Sequence, residues 1–163
     1  MNIFDLFKFR KLAVGDTYQG GRIAYLDGTG KHGLIAAKTD QSEEIIWINY
    51  LKFCVGATGV VIGTGRANTN KIYNNTAFSS NTYAAGIAKS YKGGGYSDWY
   101  LPSKDELNLL YLNRNLIGGF QNSFYWSSTE CDENSAWLQF FNNGMQFNYV
   151  KSGTYHVRAV RVF

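Results

Sequence analysis

The chain is poor in the residues that most often carry chemistry. Its 163 residues include two Cys, two His, two Met and one Pro. Cys54 and Cys131 lie in no Cys-x-x-Cys spacing. With only His32 and His156 beside them they cannot supply the four close ligands of a structural zinc site. Free thiols are expected, a single disulfide being the alternative. Long apolar runs are missing too: no stretch approaches 18 consecutive apolar residues, so no segment reads as a membrane-spanning helix and membrane insertion is not expected. Acid is absent from two tracts. Between Ile45 and Ser97 the charges are all basic (Lys52, Arg66, Lys71, Lys89, Lys92), and after Glu133 only Lys151, Arg158 and Arg161 remain. Such tracts read as a surface attractive to sulphated or carboxylated polymers, or as ordinary solvated charge. A net charge of +4 falls short of a nucleic-acid-binding signature, and no nucleic-acid partner is expected.

Aromatic residues, by contrast, make up 17% of the chain. So many rings exclude a disordered chain, and 18 Gly without a Gly-X-Y period exclude collagen. The length suits one domain that buries a core without disulfide staples. Residues 1–13 read as a leader and 14–163 as the domain. The opening is no secretory signal, because Asp5, Lys8 and Arg10 break its apolar run and no small-residue cleavage site follows. Phe4, Leu6, Phe7 and Phe9 either pack on their own domain or dock a partner chain.

Gly15 to Tyr25 reads as a first strand punctuated by Gly20-Gly21, with Arg22 to Leu26 extended, Asp27-Gly28-Thr29-Gly30 as a turn and Gly33 to Ala37 as a second strand. Glu44 to Ile48 is another extended piece. Gly56 to Gly65 is a loop, and no Gly-Lys-Ser/Thr follows to make it a phosphate loop. Ala67 to Tyr73 and Tyr83 to Lys89 favour short helices. Pro102 and Ser103 open the clearest helix. Glu106 completes a capping box, Leu107, Leu110 and Tyr111 share one face, and Gly118-Gly119 ends it. Phe124 to Ser128, Ser135 to Phe141, Met145 to Val150 and His156 to Phe163 are strands, the middle pair turned by Asn142-Asn143-Gly144. This mixture is an α+β domain.

Strand periodicity exposes an excess. Trp137, Gln139 and Phe141 alternate with Ala136, Leu138 and Phe140, while Met145, Phe147 and Tyr149 alternate with Gln146, Asn148 and Val150. A half-buried antiparallel sheet shows polar residues on its outer face. Here one face is too apolar for water, as in an interaction patch, unless helices and loops cover both faces. Leu138, Phe140, Phe147 and Tyr149 are expected on one exposed surface, and Trp99, Trp126 and Trp137 in the core.

Three motifs in order (Gly94-Gly95-Tyr96-Ser97-Asp98-Trp99-Tyr100-Leu101-Pro102-Ser103-Lys104-Asp105-Glu106-Leu107, Tyr125-Trp126-Ser127-Ser128-Thr129-Glu130, and Val157-Arg158-Ala159-Val160-Arg161-Val162-Phe163) resemble the Lcl C-terminal-like domain family. Gly15 to Gly21 and His32 to Ala37 match as well. The resemblance implies a C-type lectin-like fold, related in shape to the formylglycine-generating enzyme domain. It carries two helices, paired terminal strands and a small antiparallel sheet with a ligand-facing surface. It also implies adhesion through glycans such as sulphated polysaccharides. The calcium and sugar motifs of animal C-type lectins are absent, as are the paired cysteines of the formylglycine-generating enzymes.

The last 40 residues resemble the variable region of retroelement-diversified proteins. There Trp137, Gln139 and Phe141 would be scaffold. Leu138, Phe140, Met145, Phe147, Tyr149, Ser152, Thr154, Tyr155 and His156 would form the displayed ligand-binding face. No nucleophile elbow surrounds His32 or His156, and Glu106 is accounted for by capping. The expectation is therefore a non-enzymatic domain without metal or cofactor, recognising a cell-surface protein or glycan from a phage virion or bacterial surface. Trimerisation through the N-terminal segment is an added expectation. The rival readings are an adhesin for anionic polysaccharide and a degenerate relative of the formylglycine-generating enzyme.

Overall fold

The computed structural model describes residues 11–49, 53–76 and 80–163. The expectations placed on Phe4, Leu6, Phe7, Phe9 and Lys52 lie outside the described residues. In chain order the strands are β1 (Thr17–Tyr18), β2 (Gly21–Leu26), β3 (Gly33–Ala36) and β4 (Ser42–Ile46). Helices α1 (Gly65–Asn74), α2 (Ala84–Ser90), α3 (Lys104–Leu112) and α4 (Arg114–Ile117) follow. Then come β5 (Phe124–Glu130), β6 (Ser135–Phe140), β7 (Gln146–Val150), β8 (Thr154–Val157) and β9 (Val160–Val162). This is a mixed α+β arrangement of two sheets, ordered β1-β2-β3-β9 and β4-β8-β5-β6-β7.

The local signals work as physics requires. Gly20, at φ 90°, turns β1 into β2. Asp27 accepts from the Thr29 hydroxyl at 2.6 Å and from the amides of Thr29 and Gly30, forming the turn before β3. Ser103 caps α3 and Glu106 reaches back to the Ser103 amide at 2.8 Å, so both halves of the capping box are present. Glu106 is fully buried and also accepts from Gly63 N at 2.9 Å and the Tyr100 hydroxyl at 3.1 Å. Burial raises its pKa against these hydrogen bonds.

Two apolar clusters fill the interior. One gathers Trp47, Trp99, Trp126, Tyr83 and the alanines of α2, and packs α1 and α2 on one face of the five-stranded sheet. The other gathers Leu107 and Leu110 of α3 with Tyr125, Phe141 and Tyr100. It lies on the opposite face of β5 and β6.

Several expectations are corrected. The helix expected to run to Gly118 breaks at Asn113, whose backbone departs from helical geometry (φ −103°, ψ 12°) and whose side-chain amide donates to the Ala24 carbonyl at 3.0 Å. Among the described residues four α-helices therefore stand where the resemblance implied two. His156 to Phe163 is not one strand: β8 belongs to one sheet and β9 to the other. Arg158 sits fully buried at the corner, and Ala159 N turns to the Gln41 side chain, which takes the backbone out of the β8 ladder. The terminal strands share a sheet but are separated by β2 and β3, with β9 paired to β3. The ligand-facing sheet is not wholly antiparallel, because β8 runs parallel to β5. Trp99 and Trp126 are buried, whereas Trp137 is half-buried under the Lys104 ammonium, 3.5 Å from the ring centroid.

Asp98 holds Arg161 through two hydrogen bonds of 2.7 and 3.1 Å. Burial opposes ionisation of Asp98, but the hydrogen bond and charge of Arg161, helped by Arg66, hold its carboxyl below the usual range. A depressed folded-state pKa gives stability that is present above the unfolded value of about 3.9 and lost as pH falls through the folded one. Asp98→Asn is therefore expected to lower the urea midpoint at pH 7, with the gap from wild type closing below about pH 4. A gap that stays constant down to pH 3 rules out the charge as its cause.

Candidate functional site

The site begins with one turn. Gly144, at φ 82°, completes the reversal after Phe140, and a Cβ there would strike the Tyr111 ring. Gly144 N donates to Phe140 O at 2.7 Å and Phe140 N to Met145 O at 2.9 Å. These bonds set the register that pairs Leu138 with Phe147 and Ala136 with Tyr149. On the other side of β6, Phe124 pairs with Phe140 and Trp126 with Leu138. Period-two alternation then puts Phe124, Trp126, Leu138, Phe140, Phe147 and Tyr149 on one face, which Tyr155 joins from β8.

The rings form a connected set. Phe124 stacks on Phe140 with centroids 4.4 Å apart and meets Phe147 and Tyr155 edge-on at 6.3 and 5.6 Å. Tyr155 also meets Tyr149 at 5.7 Å and Trp126 at 5.1 Å. Among them opens a cavity of about 310 Å³ lined by Phe124, Leu138, Phe147, Asn148, Tyr149 and Tyr155. The face changes character across its width. Trp126 and Leu138 are buried in the core, while Met145, Phe147 and Tyr149 are 54%, 36% and 50% exposed. Fully burying such a side chain contributes about 1.5–3 kcal/mol, so covering the half still exposed contributes roughly half of that per residue, a standing gain for whatever binds there.

The nine expected ligand-binding residues divide accordingly. Phe147, Tyr149 and Met145 form the open half, Phe140 and Tyr155 are half-buried, and Leu138, at 3% exposure, is the floor of the cavity rather than surface. Ser152 is exposed in the turn after β7. Thr154 is exposed but falls on the side of β8 opposite Tyr155. His156 falls on that opposite side too. Its Nδ1 lies 2.9 Å from Asp40 Oδ2 and its ring 4.9 Å from that of Tyr125, so it does not join the face. Phe124 was missed. It reads in the sequence only as the start of a strand, yet its pairing with Phe140 places it at the middle of the ring set; the signal was an aromatic at the first position of β5, aligned across the sheet.

Neither the connected rings nor the residues lining the cavity carry a formal charge. Their ionisable groups are the phenols, and the Tyr155 pKa is raised by burial first and then by the neighbouring Tyr149 phenol. The late basic residues lie elsewhere and inside: Lys151 and Arg158 are fully buried and Arg161 is 6% exposed, bonded to Glu130, Asp40 and Asp98 respectively. Arg66, Lys71 and Lys92 remain exposed in and after the helical region. Cys54 and Cys131 are exposed free thiols. Among the described residues no three His, Cys, Asp or Glu side chains come together as a metal site.

The arrangement defines a two-sheet α+β fold shared with the crystal structure of a fimbrial protein from Bacteroides ovatus ATCC 8483, with TM-score 0.66 and 15% identity. That match covers 93% of this chain and 48% of the other, so the chain spans about half the length of that protein. The chain belongs to the Lcl C-terminal domain family, whose model matches residues 37–161. No curated protein matches the sequence.

Proposed function

We propose that the domain is a non-enzymatic recognition module of C-type lectin-like fold, displayed on a phage virion or bacterial surface. It holds a cell-surface protein or glycan receptor on the open half of the β5–β8 face. The observation that carries this reading is the ring set around the 310 Å³ cavity, left half exposed although its other half is core. Tyr and Phe rings give large contact area at little rotamer cost, as recognition surfaces require. The shared fold of a fimbrial protein supports a surface role. The test is to titrate labelled protein on intact bacterial cells and on a glycan array. Phe147→Ala and Tyr149→Ala are each expected to weaken binding about tenfold or more, with circular dichroism and urea unfolding checking that each variant remains folded under the binding conditions. Binding that survives both substitutions overturns the assignment.

Diversification of the face is part of the same reading. Exposed Met145, Phe147, Tyr149 and Ser152 alternate with residues that are themselves partly or fully exposed, while buried Gln139 and Lys151 bracket β7 as scaffold, so substitutions at the former need not disturb the fold. A reverse transcriptase gene beside a near-copy of the sequence encoding the final strands is the expected neighbourhood.

A second reading, attachment to anionic polysaccharide, is favoured by one observation: Arg66, Lys71 and Lys92 are exposed in a tract without acid. It predicts salt-sensitive retention on heparin that Arg66→Ala with Lys71→Ala abolishes. The ring-set reading predicts that those two changes leave cell binding intact.

A further inference from the structure

The two sheets expose four edges, and three are guarded. β1 is two residues long; β9 is three, with Tyr100 bridged to Val160. β4 carries exposed Glu43 and Glu44 and a register shift between Ser42 and Ile45. Short strands, charges and bulges are the usual protections of a sheet edge. β7 has none of them. Gln146-Phe147-Asn148-Tyr149-Val150 is uncharged, free of proline, exposed from Phe147 onward and paired with β6 without a register break.

Its outer hydrogen-bonding groups can be named. Phe140 N bonds Met145 O and Lys151 N bonds Asn134 O. With the register Leu138 to Phe147, the odd-numbered residues of β7 therefore turn their backbone groups toward β6. The even-numbered ones, Gln146, Asn148 and Val150, turn theirs outward. Val150 O is taken by Gly153 N. Among the described residues no backbone partner accompanies Asn148 on that side, at the centre of the strand.

We propose that β7 pairs antiparallel with β7 of a second copy of this chain, about a two-fold axis through Asn148. The strand is self-complementary about that point. Asn148 would exchange both backbone bonds with its symmetry mate, and Gln146 would face Val150 of the second copy. Phe147 would lie opposite the second copy's Tyr149, twice, at the close non-hydrogen-bonded spacing that favours aromatic pairs. Charge selects this pairing: two chains of net charge +4 meet at an uncharged strip, whereas β4 against β4 sets Glu43 and Glu44 against each other. The joined sheet places two ring sets side by side, so the dimer presents one continuous aromatic surface. The pairing does not depend on what that surface binds.

Sedimentation velocity and light scattering of the full chain, from about 1 μM to 1 mM, test the proposal. The expected mass rises with concentration from 18.3 kDa to twice that value. Asn148→Pro removes an outward N–H without touching the β6 ladder, and Asn148→Lys puts two ammonium groups at the axis. Each is expected to weaken the dimer about tenfold or more, with circular dichroism and urea midpoint checking the fold. A monomer throughout, a trimer, an open polymer or a dimer indifferent to Asn148→Lys overturns the pairing.

Discussion

Lys151→Met is expected to destabilise the domain by about 3–5 kcal/mol, lowering the thermal midpoint by roughly 10 °C. Lys151 is fully buried, and its ammonium bonds Glu130 Oε1 at 2.6 Å, Phe53 O at 3.0 Å and Glu133 O at 3.2 Å, beside the Trp47 ring. Glu130 spends its oxygens on Val55 N at 2.9 Å and Gly56 N at 2.8 Å. One ion pair thus ties the loop at 53–56 and the end of β5 to the turn between β7 and β8. Methionine keeps the volume but leaves a carboxylate buried without its cation, which costs more than the pair itself contributes. Urea unfolding at pH 7 reads the effect as a lower midpoint at unchanged slope. Lys151→Met with Glu130→Gln is expected to lose less than the two single changes summed, because the second removes the orphaned charge. Additivity would show that the ammonium acts through its carbonyl partners alone.

That pair also alters how the acid-free tail reads. Lys151, Arg158 and Arg161 look in sequence like free positive charge after Glu133. Their counter-charges, Glu130, Asp40 and Asp98, come from earlier in the chain. One lies 21 residues away and the others 118 and 63. Local charge counting cannot see such pairs, because folding rather than sequence proximity makes them neighbours.

Local signals were legible for the same reason that distant ones were not. The Ser103/Glu106 box and the Asn142-Asn143-Gly144 turn involve groups a few residues apart, and each formed where its chemistry required. The open aromatic half was legible because period two allows Met145, Phe147 and Tyr149 only one side of the strand. Which part of that face the core would claim was not legible. Leu138 pairs with Trp126 across the sheet and so falls inside, while Phe147, one strand further out, does not. Trp137 reads as core from the alternation along β6, but its neighbour is the Lys104 ammonium, 3.5 Å from the ring centroid. The switch of sheets after β8 had one faint local mark, the adjacent apolar pair Ala159-Val160, which breaks the alternation between Val157 and Val162 and sets Arg158 and Arg161 three residues apart.

Asp40→Ala tests that corner and is expected to cost about 3–5 kcal/mol, comparable to loss of Lys151. Asp40 accepts from Arg158 Nε at 2.6 Å and the Tyr125 hydroxyl at 2.8 Å, with His156 Nδ1 at 2.9 Å. The buried Arg158 guanidinium also donates to the carbonyls of Ala37 and Gly118 at 3.0 and 3.3 Å and stacks over Phe120 at 4.1 Å. Removing the carboxylate leaves a cation enclosed with neutral acceptors only. Asp40→Asn keeps an acceptor oxygen for Arg158 or Tyr125 and should lose roughly half as much. The consequence reaches the recognition face, because β8 carries Tyr155 outward and His156 inward on adjacent residues. Slackening the His156 anchor is expected to broaden the Tyr155 ring environment in NMR spectra of Asp40→Ala well below its melting temperature, with Tyr73 in α1 unaffected. A sharp, unshifted Tyr155 in that variant would mean that β8 is held by its ladder to β5 and β4 alone.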